Sequence, residues 1–529
     1  MHADLERRLR DARPDLTPPE GTRERLATRL GLEESRARGA YGWLGGRRRG
    51  VALLAGAVLA AGTAVGTAVV ALRSGGTDTV RVADQPSGSW SRAEPLSVRF
   101  RNEYPEPVVG VDDHGRAVVA WVRAGRIEIR TRSTGGAWEP VRVASTAERA
   151  TDPAVAVAPD GHGQVIWRER RGGRWETLPL VGPDGRQFGA LRRKAGVQFV
   201  IAARSIDLAS GALGPVRTVS QPTSRQGDMQ QLAAGADAEG RVSVAWARLN
   251  SLEVAGTDGD GRWAAPVRMR ATNGAAPWRL SLSVERDGHR AVIWHAVNPT
   301  GDASRRNAVM VTTGTARGWT SPVELDRPAT FNGDTPVVTI DRRGRAWAMW
   351  NAPEGGHQAL AWAALSEQEW SRPQTLATAT DGTVGAPGLA TTGDGTALAV
   401  WGQAPGTFFG GPRGTSHAAR LPLAGPARDL GQLTQGTVAL QSRQGTPITA
   451  DGSGRVITVP PEVLGITAFT WRAGQAAPAK APITTTAAFW MIGRSRVAAG
   501  RDGTAVAVAS RGTPGGEQIV AYTRSPEGP

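Results

Sequence analysis

From about residue 106 to residue 523 the chain alternates short apolar runs with tight polar turns, and one version of that alternation keeps returning. It reads "DDHGRAVVAW" (112–121), "PDGHGQVIW" (159–167), "DAEGRVSVAW" (237–246), "RDGHRAVIW" (286–294), "DRRGRAWAMW" (341–350) and "GDGTALAVW" (393–401). Two further copies, "DGSGRVITV" (451–459) and "RDGTAVAVA" (501–509), have lost the tryptophan. Each copy follows another apolar run, such as "EPVVGV" (106–111) or "TPVVTI" (335–340). Two apolar runs joined by an Asp/Gly turn predict a hairpin, with glycine supplying the positive φ of the turn. A third strand follows, as in "RIEIRTR" (126–132). A fourth opens on tryptophan and carries proline, as in "WEPVRV" (138–143), "WAAPVRM" (263–269), "WTSPVEL" (319–325) and "WSRPQTL" (370–376). Proline suits an edge strand, which has no inter-strand hydrogen bond to donate on its outer side.

Four short strands, repeated with terminal tryptophans 46, 79, 48, 56 and 51 residues apart, have the spacing of propeller blades; the longest step contains an insertion. The fold expected is all-β: an eight-bladed β-propeller, with seven blades as the alternative. A blade buries its faces only against neighbours, so the ring must close. The last unit offers three strands, near 494–499, 504–510 and 517–523, and the chain ends without a tryptophan-proline strand. That strand stands at the other end, as "WSRAEPLSV" (90–98), so Trp90 marks the expected closure. Trp121, Trp167, Trp246, Trp294, Trp350 and Trp401 recur in register with the turns, which assigns them to packing between blades.

Ahead of the repeats, residues 51–72 contain neither charge nor proline, and 22 residues of helix span about 33 Å, enough to cross a bilayer. Arg47, Arg48 and Arg49 precede the segment, and only Arg73 and Arg81 follow closely. The positive-inside rule then predicts a single-pass anchor, with the N-terminus cytoplasmic and the C-terminal domain outside. A cleaved signal peptide is the alternative. Residues 1–50 carry 12 arginines and 8 acidic residues, 12 − 8 = +4, and form a basic tail. Its two short amphipathic stretches, 3–13 and 17–30, suit docking to a cytosolic regulator. Residues 73–87 read as a linker and 88–527 as the extracytoplasmic propeller.

Composition narrows the chemistry. No cysteine is present, which excludes disulfides, thiolate metal sites and cysteine nucleophiles. The formal charge of +15 comes almost wholly from arginine, since Lys194 and Lys480 are the only lysines. No arginine-rich helix accompanies it, so a solvated basic surface is expected and nucleic acid is not.

The turn-and-tryptophan repeat resembles that of bacterial β-propellers, including the sialidase-like and WD40-like groups, over residues 88–527. The resemblance implies architecture alone. The sialidase Asp-box, with glycine two and an aromatic five residues after the aspartate, is missing: from Asp160 the gaps are three to Gly163 and seven to Trp167. Only Tyr104 and Tyr522 follow the apolar segment, and neither sits in a catalytic tyrosine motif. HExxH, GxSxG and P-loop signatures are absent too, and no cofactor or metal is expected. His114, His162 and His289 fall in hairpin turns, and His295, His357 and His417 fall in or beside the second-to-third connections; all six are read as solvated loop histidines.

Those connections expand in four blades, at 168–197, 295–306, 351–358 and 402–417, while the hairpin turns stay tight. Expanded loops on one face of a rigid ring suit a ligand. They contain Arg168, Arg170, Arg174, Asn298, Arg305, Arg306, Glu354, His357, Phe408, Phe409, Arg413 and His417, a basic and partly aromatic set that fits an anionic or sugar-bearing envelope polymer. The expected function is a membrane-anchored binding or sensing module for an envelope ligand or an extracytoplasmic protein. The alternatives are a propeller enzyme, glycoside hydrolase or lyase, using carboxylates on one rim, and a scaffold of a membrane complex.

Overall fold

The computed structural model describes residues 89–525 except 101–105, 147–148, 182–186, 225–229, 249, 271–274, 298–306, 329–333, 354, 381, 406–413, 436–444, 452, 461–465, 485–494 and 514–515. The chain divides into two units, 1–78 and 79–529, and all the described residues belong to the second. The tail, the apolar segment 51–72 and the linker lie outside the described residues. Among those described, no helix is long and apolar enough to cross a membrane.

The described strands form eight antiparallel sheets, one per blade, which settles the blade count against seven. Blade 1 runs Val108–Val111, Ala117–Arg123, Arg126–Arg132 and Arg142–Val143. Blades 2 to 7 open with Ala150–Val157, Gln230–Ala236, Ala276–Val284, Val337–Ile340, Gly382–Thr391 and Ile448–Ala450. Blade 8 takes Ser495–Ala499, Ala505–Thr513 and Gly516–Arg524 from the end of the propeller sequence and Glu94–Pro95 from its start. The closure strand pairs Glu94 with Ala521 and Pro95 with Val520, and isolated bridges join Trp90 to Arg524 and Phe100 to Glu517. Ser97 adds a side-chain clasp, its hydroxyl accepting from the Ile519 N–H at 2.9 Å. Proline shapes the outer edges as its missing N–H requires: in blades 4 and 5 the fourth strand breaks at Pro322 and Pro373 into Gly318–Trp319 with Val323–Asp326, and Glu369–Trp370 with Gln374–Ala379.

Eight apolar clusters fill the eight gaps between blades. Trp121 packs with Val506 and Ile519 between blades 8 and 1, Trp167 with Val118 and Ile127 between 1 and 2, and Trp246 with Ile166 and Ile201 between 2 and 3. Trp294, Trp350 and Trp401 occupy the next three gaps. In blade 7, which lacks the second-strand tryptophan, Trp471 on the third strand packs against Leu398 and Val400 of blade 6. All seven rings are buried, Trp401 least so at 5% exposure. The last gap, between blades 7 and 8, holds no tryptophan among its buried residues and is filled by Val459, Ile466, Val520 and Tyr522.

All eight inner hairpins share one backbone. Each is a four-residue turn in which the fourth residue, always glycine with φ between +73° and +92°, donates its N–H to the first residue's carbonyl. The side chains alternate. In blades 1, 3, 5 and 7 an aspartate holds the first position (Asp112, Asp237, Asp341, Asp451); it accepts from the third and fifth backbone N–H groups and pairs with an arginine at the fifth. In blades 2, 4, 6 and 8 the aspartate holds the third position (Asp160, Asp287, Asp394, Asp502) and caps the fifth N–H instead. Arg116 reaches across to the next turn and donates to the Asp160 carbonyl at 2.7 Å, and the Arg241 and Arg345 guanidiniums lie against Gly288 and Gly395 of the turns that follow theirs.

One expected loop is a strand pair. The insertion at 168–197 continues the second and third strands of blade 2 into a ribbon, His162–Val181 against Gln187–Asp207, in register from His162 with Asp207 to Val181 with Gln187. The ring provides its base.

Candidate functional site

Two cavities on opposite faces of the ring collect chemistry. The first lies on the hairpin-turn face, among the turns of blades 4 to 7. It encloses about 410 Å³ and is lined by Glu285, Arg286, Arg342, Arg343, Asp341, Asp394 and Asp451, with turn backbone between them. Beside it, Arg286 of blade 4 makes a bidentate ion pair with Asp113 of blade 1, while the Arg501 N–H of blade 8 donates to the same carboxylate at 3.2 Å. Three blades are thus tied together across the axis. Burial alone would raise the Asp113 pKa, but the hydrogen bonds and charge of Arg286, with Arg501, outweigh it and hold the carboxyl below its ordinary range.

The carboxylates of this cavity are not equivalent. Asp341 and Asp451 are spent on their own turns, as in every odd blade. Asp394 is spent on Thr392, Thr396 and Arg420; burial opposes its ionisation, yet these partners prevail and bring its pKa to about 2. Glu285 differs. It holds the first turn position of an even blade, where the fifth residue is His289 rather than arginine, and no in-turn guanidinium neutralises it. Its side-chain partner is Arg342 of the next blade, with Nε 3.3 Å away. Burial dominates and raises its pKa, only partly offset by the Arg286 N–H and by Arg342. A protonatable carboxyl therefore faces a cavity beside two exposed guanidiniums, Arg342 and Arg343.

The second cavity lies on the opposite face, at the base of the blade 2 ribbon, and encloses about 390 Å³. Arg168 and Arg170 reach it from the outgoing strand, Phe199 from the returning strand, Arg149 and Thr151 from the entry to blade 2, and Ala124 and Gly125 from the turn of blade 1. Of the residues expected on this face, the structure brings Arg168 and Arg170 together. Arg174 lies further along the ribbon, paired by backbone register with Ala195. Asn298, Arg305, Arg306, Glu354, Phe408, Phe409 and Arg413 lie outside the described residues. His357 is exposed beside blade 5, its Nδ1 3.2 Å from the Thr380 carbonyl.

Two of the six histidines are not solvated loop residues. His417 lies in the strand Thr415–Leu421, its ring stacked on Trp401 with centroids 5.6 Å apart, and burial lowers its pKa. His295 closes the second strand of blade 4, is fully buried beside Trp278, and has its pKa lowered to about 3 by burial and by Arg279. His295 lies in a second strand that continues past its tryptophan, and His417 in a third strand that begins before the expected start. No group of three metal-ligating side chains forms among the described residues.

No protein-family model matches the chain, and no curated protein does. Solved structures similar to it are distant. An α-L-arabinanase of Penicillium chrysogenum, complexed with arabinobiose, is 12% identical over 57% of this chain and 94% of its own, with a TM-score of 0.36. The polysaccharide lyase Uly1 is 9% identical over 74% and 91%, with a TM-score of 0.42. A protein of unknown function from Dyadobacter fermentans is 11% identical over 82% and 98%, with a TM-score of 0.38. At such distances the likeness carries nothing about substrate or reaction.

Glu285 and the Asp113–Arg286 pair escape a reading of the sequence that treats all turns as copies of one motif. The signal was present in "ERDGHR" (285–290), where glutamate replaces the first-position aspartate and the fifth-position arginine is missing. The meeting of Asp113 with Arg286, 173 residues apart, has no sequence signal at all.

Proposed function

We propose that the propeller is an enzyme that cleaves an acidic polysaccharide at the cavity on its hairpin-turn face, by elimination rather than hydrolysis. The observation that carries this reading is Glu285, a cavity-lining carboxyl of raised pKa whose side-chain partner is Arg342, next to Arg343. Hydrolysis asks for two available carboxyl groups flanking the bond. Here Asp341, Asp394 and Asp451 are committed to structure, which leaves one. Elimination from a uronic acid unit asks instead for a cation to hold the sugar carboxylate and stabilise charge developing on it, and for one group that takes a proton and returns it. Arg342 and Arg343 fill the first role. Glu285 fills the second: it removes the proton from C5, the C4–O4 bond breaks as the C4–C5 double bond forms, and the proton passes to O4. Its raised pKa matches the carboxylate more closely to a weakly acidic C–H donor.

The anchor and its topology stand beside this reading as a second proposal, carried by the arginine asymmetry around residues 51–72. It places the enzyme on the outer surface of a membrane, where an envelope polymer is within reach.

The test of the reaction incubates the full chain with polyuronic, sulfated and neutral polysaccharides, and follows both new reducing ends and the ultraviolet absorbance of an unsaturated product. Absorbance rising with the ends on an acidic polymer, and lost in Glu285→Gln, is the expected result. Ends without absorbance would make the enzyme a hydrolase. A Glu285→Gln variant as active as the parent would remove this cavity from the chemistry.

A further inference from the structure

We propose that the cavity at the base of the blade 2 ribbon is a second ligand site, one that holds a uronic acid unit by its carboxylate and needs no bond to be broken. It lies on the face of the ring opposite Glu285 and does not depend on the elimination reading.

Three guanidiniums converge on this cavity, and their partners separate them. Arg168 is neutralised: its Nη2 lies 2.8 Å from Asp152 and its Nε donates to the Thr151 hydroxyl at 3.1 Å. The other carboxylate in the neighbourhood, Glu169, is taken by Arg171 at 2.5 Å and by the Trp167 indole at 2.8 Å. Arg149 and Arg170 are left. The Arg170 backbone N–H donates to the Arg149 carbonyl at 2.9 Å, which fixes the two residues side by side, and neither has a carboxylate partner among the described residues. The Arg170 Nε is buried and has no hydrogen-bond acceptor. A charged donor left buried and unpaired is destabilising, so the site is organised for an acceptor that arrives from outside.

The shape of the site selects the acceptor. A guanidinium fork matches a planar carboxylate through two parallel hydrogen bonds. Phe199, only 7% exposed, contributes an apolar wall, and the Thr151 hydroxyl adds a polar contact. A volume of about 390 Å³ suits one or two sugar rings rather than a bare ion. Residues 124 and 125 turn with φ of +48° and +74°, which keeps the blade 1 connection at the edge of the cavity to two residues. A carboxylate, an apolar ring face and a hydroxyl together describe a uronic acid, either free or at the end of a polymer.

The test titrates the full chain with sodium glucuronate, with a short oligogalacturonide, and with glucose and sodium sulfate as controls, reading heat of binding. Both uronates are expected to bind and glucose is not, with the oligomer tighter if the source is a polymer end and equal if it is the free acid. Arg149→Ala and Arg170→Ala should each weaken binding about tenfold or more, the loss of one charged hydrogen bond. Arg170→Lys keeps the charge without the fork and should fail to restore it. Arg149 is exposed, so its variant reports on binding even if Arg170→Ala perturbs the ribbon. Sulfate binding as tightly as glucuronate would reduce the site to an unselective anion contact and overturn the proposal. So would uronate binding that survives both arginine changes and is lost in Glu285→Gln, because the ligand would then sit in the other cavity.

Discussion

Odd and even blades close their inner hairpins with one backbone and two chemistries, and the difference separates what a propeller turn requires from what it tolerates. The backbone requirement is glycine at the fourth position and its bond to the first carbonyl, and all eight turns meet it. The side-chain oxygen has freedom. At the first position it is buried and paired with arginine, as with Asp112, whose side chain is fully covered. At the third position Asp160 keeps 55% of its side chain exposed and binds backbone and a neighbouring histidine. Odd turns therefore act as latches between blades, and even turns are mainly caps. The cavity proposed as the active site forms where this alternation is imperfect: Glu285 brings a carboxyl to the latch position of an even blade without the fifth-position arginine of the odd blades, and meets Arg342 of the next blade instead.

The largest effect that would break this comparison comes from removing a latch. Asp112→Ala leaves the Arg116 guanidinium without its carboxylate and two backbone N–H groups without their acceptor, and should cost about 3–5 kcal/mol in denaturant unfolding. A loss under about 1 kcal/mol would make odd and even turns energetically alike.

A pair of glycine substitutions sharpens the point. Gly161 and Gly240 both have positive φ, so alanine at either costs about 1–2 kcal/mol of backbone strain. A Cβ on Gly161 would also meet the Arg116 guanidinium at 2.5 Å and the Asp112 carboxylate at 2.7 Å, whereas one on Gly240 meets nothing within 4 Å. Gly161→Ala should be the more destabilising by at least about 1 kcal/mol, the order of an overpacking penalty. Equal costs would mean that the latch yields without resistance.

Acid gives the third test. Asp394 has a folded pKa of about 2, below its unfolded value, so its contribution is present above the ordinary carboxylate range and is lost as pH falls through about 2. Asp394→Asn should be less stable than the parent at neutral pH, and the gap should close between about pH 4 and pH 2. A gap that persists at the acid end would assign the loss to packing rather than charge. His295 acts earlier and in every variant: its depressed pKa means that the unfolded chain takes up a proton first, so stability declines as pH falls below about 6.5 toward about 3.

The smallest effect belongs to the caps. Asp160→Ala removes one exposed backbone cap and a contact with His162, and should cost about 0.5–1 kcal/mol. A cost near that of Asp112→Ala would erase the distinction between the two kinds of turn.

The blades were legible in the sequence because each is local. A hairpin needs only two apolar runs and a glycine, all within about a dozen residues, and the tryptophans repeat in register with those turns. Closure was legible as well, since a tryptophan-proline strand missing from one end stood at the other, and Glu94 and Pro95 pair with Ala521 and Val520 accordingly. The blade 2 ribbon was not. Its sequence, rich in arginine and glycine, carries no clear period-two pattern, and pairing across a long hairpin stabilises a strand that its composition does not announce. The histidines were misplaced for a related reason, as His295 and His417 sit in strands that extend beyond the tryptophan or begin before the expected start.

By itself the sequence determined the repeat, the turn geometry, the number of hairpins and the apolar filling of the gaps between blades, because each depends on residues that are neighbours in the chain or recur at a fixed spacing. Only the tertiary structure decided which charges remain unspent. Whether a carboxylate or a guanidinium is neutral, paired or waiting for a ligand depends on partners that ring closure brings from other blades. Asp113 meets Arg286, Glu285 meets Arg342, and Arg149 and Arg170 meet no carboxylate among the described residues; Coulomb energy acts through space and leaves no period in the sequence.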